Sequence, residues 1–182
     1  FGFDALREVT GLEESRLLEL LDTIFKTGLT GERSTHGERV CSFADILVRD
    51  VVYEEVSPLR RTSLHGIVGH SLEKVYAPKV DEHFGELASH FLESGDKDKA
   101  LDYFLKAGEK AAGIYANTEA ASYFQSALRL LEEKKGELRQ KGPVLERLGD
   151  IKKIVGEYDA CTKYWNEALL LWKQLQEKGN IS

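Results

Sequence analysis

His83, Glu86 and His90 come nearest to a set of residues that could do metal chemistry. On one helix, at 100° per residue, they span roughly 60° of arc. Two imidazoles and a carboxylate so placed could hold Zn²⁺. The plainer reading is a polar flank beside the apolar residues Phe84, Leu87, Ala88 and Phe91, with Glu86 and His90 as an i,i+4 pair. A three-residue spacing is a weak motif, so the plainer reading is preferred. Other chemistry is harder to find. The sequence has no G-x-x-x-x-G-K-[ST] phosphate loop, so the chain is not expected to bind ATP by itself. It has no G-x-S-x-G, no H-E-x-x-H and no cysteine pair with zinc spacing. No catalytic, cofactor or metal residue is assigned, and the chain is expected not to be an enzyme.

The elements that would carry such residues are helices, and they repeat. In Gly95–Gly108, Ala100, Tyr103, Phe104 and Ala107 recur at i, i+3, i+4, i+7, one face of an α-helix. Two small residues and two rings on one face belong to a helix stacked between others. Ala120, Tyr123, Phe124 and Ala127 reproduce the pattern twenty positions on, and Cys161, Tyr164, Trp165 and Ala168 do so again, led by Leu145, Leu148 and Gly149. Gly95 and Gly156 stand at the same place before their helices. This pattern resembles the tetratricopeptide repeat, a helix pair of about 34 residues. Lys152 stands where the motif wants an aromatic, and the middle unit is compressed, so one helix there must pack on both sides.

Composition sets the limits. The chain has 182 residues, 42% hydrophobic and 31% charged, with a net charge of −6. That suffices for one large or two small domains with a real core. The acidic balance argues against a nucleic-acid partner. No apolar run approaches the roughly 18 residues of a membrane span, and no signal-peptide pattern opens the chain. Cys41 and Cys161 lie far apart. A reducing, cytoplasmic setting fits them best. The opening Phe1, without an initiator Met, reads as a piece of a longer protein.

Taken in order, Phe1–Val9 reads as a helix end and Thr10–Glu13 has the spacing of a capping box. A helix is expected over Glu13–Lys26, stopped by Gly28. Leu29–Phe43, with Gly31 and Gly37 about a polar stretch, reads as a hairpin and the only β candidate. Ala44–Glu55 returns to helix with Leu47, Val48, Val51 and Val52 inward. Ser57 and Pro58 start the next helix. Its buried side is expected at Leu64, Ile67, Val68, Leu72 and Val75, and Pro78 ends it. Five stacked helices follow, over Lys79–Glu93, Asp96–Tyr115, Asn117–Lys134, Pro143–Val155 and Glu157–Glu177. Asp96 and Asn117 serve as N-caps, Lys134–Gly142 as a charged connector, and Gly179–Ser182 should fray.

Helix, helix, hairpin, helix in the first 56 residues resembles a winged-helix module. The string F-A-D-I-L-V-R-D-V-V-Y, then S-P-L-R-R-T-S-L-H, resembles the segment after the ATPase module of STAND-type signalling ATPases, which are fused to cyclases, kinases or transcription regulators. That resemblance covers nearly the whole chain. It implies a mainly α fold: a winged-helix-like module over 1–56, then a right-handed, tetratricopeptide-like superhelix over 57–182. It also implies a non-catalytic regulatory and protein-interaction role, with the ATPase module or another protein as partner. The family usually has His where this chain has Asp45.

The same resemblance places partners along the first helices of the pairs, here Glu82, Ser89 and Leu92, then Glu146, Asp150 and Lys153. Their acids and one leucine imply a partner with basic and apolar groups, and they lie off the core stripes, so burial in the fold does not explain them. Arg49, Arg60, Arg61 and His65 form the one basic cluster, read either as a contact for the ATPase module or as solvated charge, Arg49 with Asp50 above all. The alternative function is a transcription regulator touching DNA through Glu13–Lys26. Four acids there, against Arg16 and Lys26, would repel phosphates.

Overall fold

The computed structural model describes residues 2–35, 38–134 and 138–179. The protein is mainly helical, and its described residues include one small two-stranded antiparallel sheet. Its elements in order are α1 (Phe3–Thr10), α2 (Glu14–Phe25), β1 (Thr30–Thr35), β2 (Glu38–Phe43), α3 (Ile46–Glu55), α4 (Pro58–Val75), a 3₁₀ segment (Ala77–His83), α5 (Phe84–Ser94), α6 (Lys97–Gly113), α7 (Asn117–Glu133), α8 (Leu138–Ile154) and α9 (Tyr158–Gly179). The chain forms two compact units. One holds Phe1–Val80 and Glu93–Gly95, the other Asp81–Leu92 and Asp96–Ser182.

In the first unit β1 pairs with β2, Thr30 opposite Phe43, and Gly2 adds a single bridge to Val40. Helix α1 packs against α4, and Lys74 Nζ ties α4 to Glu8 at 2.9 Å. By packing, then, α4 goes with the elements before it, whereas the sequence motifs draw their boundary at 56/57. Several local expectations need correction. The capping box does not form. Thr10 is still inside α1, its hydroxyl donates to Leu6 O, and Gly11 closes that helix at φ 63°. Leu47, Val51 and Val52 face outward, 68%, 57% and 43% exposed, because α3 meets its unit at β2 and through Tyr53. On α4 Leu64 and Ile67 are exposed, and of the expected stripe only Leu72 is fully buried. Asp45 has a structural role, since its side chain accepts from Leu47 N at 2.7 Å and caps α3.

The second unit is a run of antiparallel helices in which α6, α7, α8 and α9 each pack on the next, so α7 is covered on both sides. The sequence stripes are its core. Ala100, Phe104, Ala107, Ala120, Phe124, Ala127, Leu145, Leu148, Cys161 and Ala168 are all buried, whereas Trp165 keeps 38% of its surface. Burying side chains such as Phe91, Phe124, Leu145 and Leu148 stabilises the stack by about 1.5–3 kcal/mol each. Phe91 lies flat on Tyr103, ring centres 5.6 Å apart.

Glycines admit the rings between helices. A Cβ on Gly108 would stand 2.9 Å from the Phe124 ring, and on Gly142 and Gly149 it would strike Trp172 and Trp165. Left-handed residues close the turns at Gly95, Tyr115 and Gly156, and Tyr115 does so as a non-glycine at φ 60°. Three helix ends differ from the sequence reading. Residues 79–83 belong to the 3₁₀ segment, kinked at Lys79. Ala116 takes the cap place expected of Asn117. Helix α8 starts at Leu138, so Pro143 lies inside it and most of the described connector is helical. Of the expected fraying end, Gly179 closes α9 and the rest lies outside the described residues.

Candidate functional site

A groove opens between α6 and α8. Leu105 and Glu109 of α6 form one wall, Pro143, Arg147 and Asp150 of α8 the other, and Phe124 of α7 the floor. Its volume is about 510 Å³. A neighbouring groove of about 580 Å³ shares Leu105 and Glu109 and runs to Phe84 and Asp81.

The walls are fixed by ion pairs and hydrogen bonds. Arg147 grips Glu109 through two bonds, Nε to Oε1 at 2.8 Å and Nη2 to Oε2 at 2.7 Å, so α6 and α8 are spanned and both charges cancel. Lys110 Nζ donates to Asp81 Oδ2 at 2.8 Å, and that bond holds the Asp81 carboxyl below the usual carboxylate range. Trp172 Nε1 donates to Glu146 Oε1 at 2.7 Å. An indole is neutral, so Glu146 keeps its charge. Asp150 has no cation within 4.0 Å among the described residues. Among the described residues, the α8 wall therefore retains two carboxylates without an ion-pair partner above an apolar floor.

Of the residues expected to bind a partner, the structure brings Glu146 and Asp150 into this groove. Glu82, Ser89 and Leu92 line neither groove: Glu82 is exposed in the 3₁₀ segment, Ser89 Oγ donates to Gly85 O, and Leu92 is 38% exposed on α5. Lys153 sits 5.5 Å above the Trp165 ring. Glu146 and Lys153 are both exposed, so burial does not explain them, but each also has a contact within the fold. Sequence reasoning missed Leu105, Glu109 and Arg147. An apolar residue off the Ala100 stripe was the one signal for Leu105. A pair 38 residues apart gives none.

In the first unit the basic cluster divides. Arg49 turns to its neighbour Asp50, at 2.6 and 2.8 Å. Arg61 lies 4.9 Å over the Tyr53 ring, and His65 Nε2 meets the Tyr53 hydroxyl at 3.0 Å. Arg60 is exposed. Tyr53, at the close of the R-D-V-V-Y string, organises the pair and was not singled out. On α2, Arg16 is already paired with Glu19 at 2.9 Å, which leaves the helix still less able to meet phosphates.

His83 Nδ1 lies 3.2 Å from Glu86 Oε2, and among the described residues no group of three His, Cys, Asp or Glu is placed to hold a metal ion. No described helix is long and apolar enough to cross a membrane. Compared with known proteins, the chain matches no protein-family model, and no curated protein is significantly similar to it.

Proposed function

We propose that this chain is a non-catalytic regulatory and protein-interaction region, a winged-helix-like module followed by tetratricopeptide-like helix pairs, of the kind that follows the ATPase module in STAND-type signalling ATPases. The single observation that carries the interaction role is the α6–α8 groove. Its apolar floor is walled by Glu146 and Asp150, which have no ion-pair partner among the described residues. Such a groove takes an extended or helical segment that offers leucine-like side chains and a lysine or arginine. Helix pairs that repeat with small residues against rings support the tetratricopeptide reading. The free thiols of Cys41 and Cys161 agree with a cytoplasmic setting.

The test is fluorescence anisotropy with a labelled peptide of about ten residues alternating Arg and Leu. Saturable binding that weakens with salt, and falls at least about tenfold in Asp150→Lys, is expected. Binding that ignores Asp150→Lys would remove the groove from the account. The cluster at Tyr53, Arg61 and His65, of which Tyr53 is exposed, would then be the better site.

A further inference from the structure

The pair α6–α7 recurs as α8–α9 at a constant offset. Gly149 and Trp165 stand 41 positions after Gly108 and Phe124, and in both pairs the glycine receives the ring. The turn repeats its closing hydrogen bond. Ala116 N donates to Ala111 O at 2.9 Å, and Glu157 N to Lys152 O at 2.9 Å. The left-handed Tyr115 is matched by Gly156. Residues of α7 and α9 can therefore be compared one to one.

One face differs in burial. On α7, Ala121, Phe124 and Leu128 are 8%, 1% and 9% exposed. Their counterparts on α9 are Thr162, which is exposed, Trp165 at 38% and Leu169 at 51%. Helix α7 packs both on α6, whose Gly108 meets Phe124, and on α8, whereas the one extensive helix contact of α9 among the described residues is with α8. Gly142 and Gly149 of α8 take the tryptophans of α9, which leaves Val144, Leu148 and Ile151, buried at i, i+4, i+7, for α7. Lys141, three positions before Val144, reaches Glu132 of α7 at 3.3 Å. The counterpart of Glu132 on α9 is Lys173, so the charge is reversed.

We propose that the face Thr162, Trp165, Leu169, Lys173 docks one further amphipathic helix, antiparallel to α9, as α8 docks on α7. Its chemistry follows from the comparison: a branched apolar stripe at i, i+4, i+7, with an acidic residue three positions before it, opposite Lys173. This surface is separate from the α6–α8 groove and stands or falls without it.

The test appends to the full chain, through a short Gly-Ser linker, a copy of residues 138–155 in which Lys141 is replaced by Glu. The melting midpoint is expected to rise by about 3 °C or more, with the tryptophan emission shifted to the blue. Leu169→Glu should abolish that gain, yet leave the midpoint of the unextended chain nearly unchanged, since Leu169 is exposed. A copy that keeps Lys141 should gain less, and Lys173→Glu should reverse that order. An unchanged midpoint, with the appended segment cut by protease as fast as a plain Gly-Ser tail, overturns the proposal. So does indifference to the charge exchange. Sedimentation of the unextended chain as a dimer that Leu169→Glu dissociates would assign the face to a second copy, and would overturn it too.

Discussion

The Trp172 indole N–H donates to Glu146 Oε1 at 2.7 Å, so the last helix of the stack is tied to the wall of the groove. A residue read from sequence as a partner contact is thus also a structural acceptor. Glu146→Lys is expected to lower stability by about 1 kcal/mol, the worth of one exposed hydrogen bond, while Glu146→Gln, which keeps an acceptor, loses less. Asp150→Lys is expected to be close to neutral. Urea midpoints at equal m-values check the order. Equal midpoints for the two lysine variants would contradict the role given to Glu146.

Two glycines of α6, one against a ring and one in open space, predict opposite signs. Gly108→Ala drives a methyl into the Phe124 ring and Ala100→Leu overfills a site with no exposed surface, each at about 1–3 kcal/mol. Gly113, also in α6, has open space around it, and Gly113→Ala should stabilise by about 0.4–1 kcal/mol. Thermal melts of the three variants decide. Stabilisation by Gly108→Ala would count against the ring contact.

Tyr115 holds φ 60° with its side chain 81% exposed. Little packing is lost on its removal, and a left-handed non-glycine costs about 1–2 kcal/mol. Tyr115→Gly is expected to raise the midpoint, and Gly156→Tyr, at the matching turn, to lower it. The same sign for both would contradict the equivalence of the two turns.

Lys141 lies between Glu167, at 2.9 Å, and Glu132, at 3.3 Å, with its side chain 18% exposed. The hydrogen bond to Glu167, before other causes, raises its pKa above the ordinary lysine value. A raised pKa means that the folded state holds the proton more tightly than the unfolded chain. The stabilisation is therefore complete below the ordinary value of about 10.4, and is lost as pH rises through the raised one. The midpoint difference between the wild-type chain and Lys141→Met should be constant through neutral pH and narrow at the alkaline end. A difference that widens there would contradict the sign.

The second unit was largely legible in the sequence, because period 3.6 marks which residues share a face, and Ala100–Ala107 and Ala120–Ala127 did so. Periodicity does not say whether a face has a neighbour. Leu47 and Val51 have the spacing of a core, yet lie outside on α3. Propensity misplaced the start of α8, where Pro143 read as a first residue although Leu138–Gly142 already continue the helix. The groove was half legible. Glu146 and Asp150 share one helix, but Glu109 and Phe124 join them only by tertiary packing.

The measurement that tests the interaction role most directly is a titration of the ¹⁵N-labelled chain with the Arg/Leu peptide, followed by amide chemical shifts. The account predicts that the largest changes fall on Leu105, Glu109, Phe124, Arg147 and Asp150, and that Asp150→Lys removes them. Changes centred on α2 or on the Tyr53 cluster, or none at saturating peptide, would contradict it.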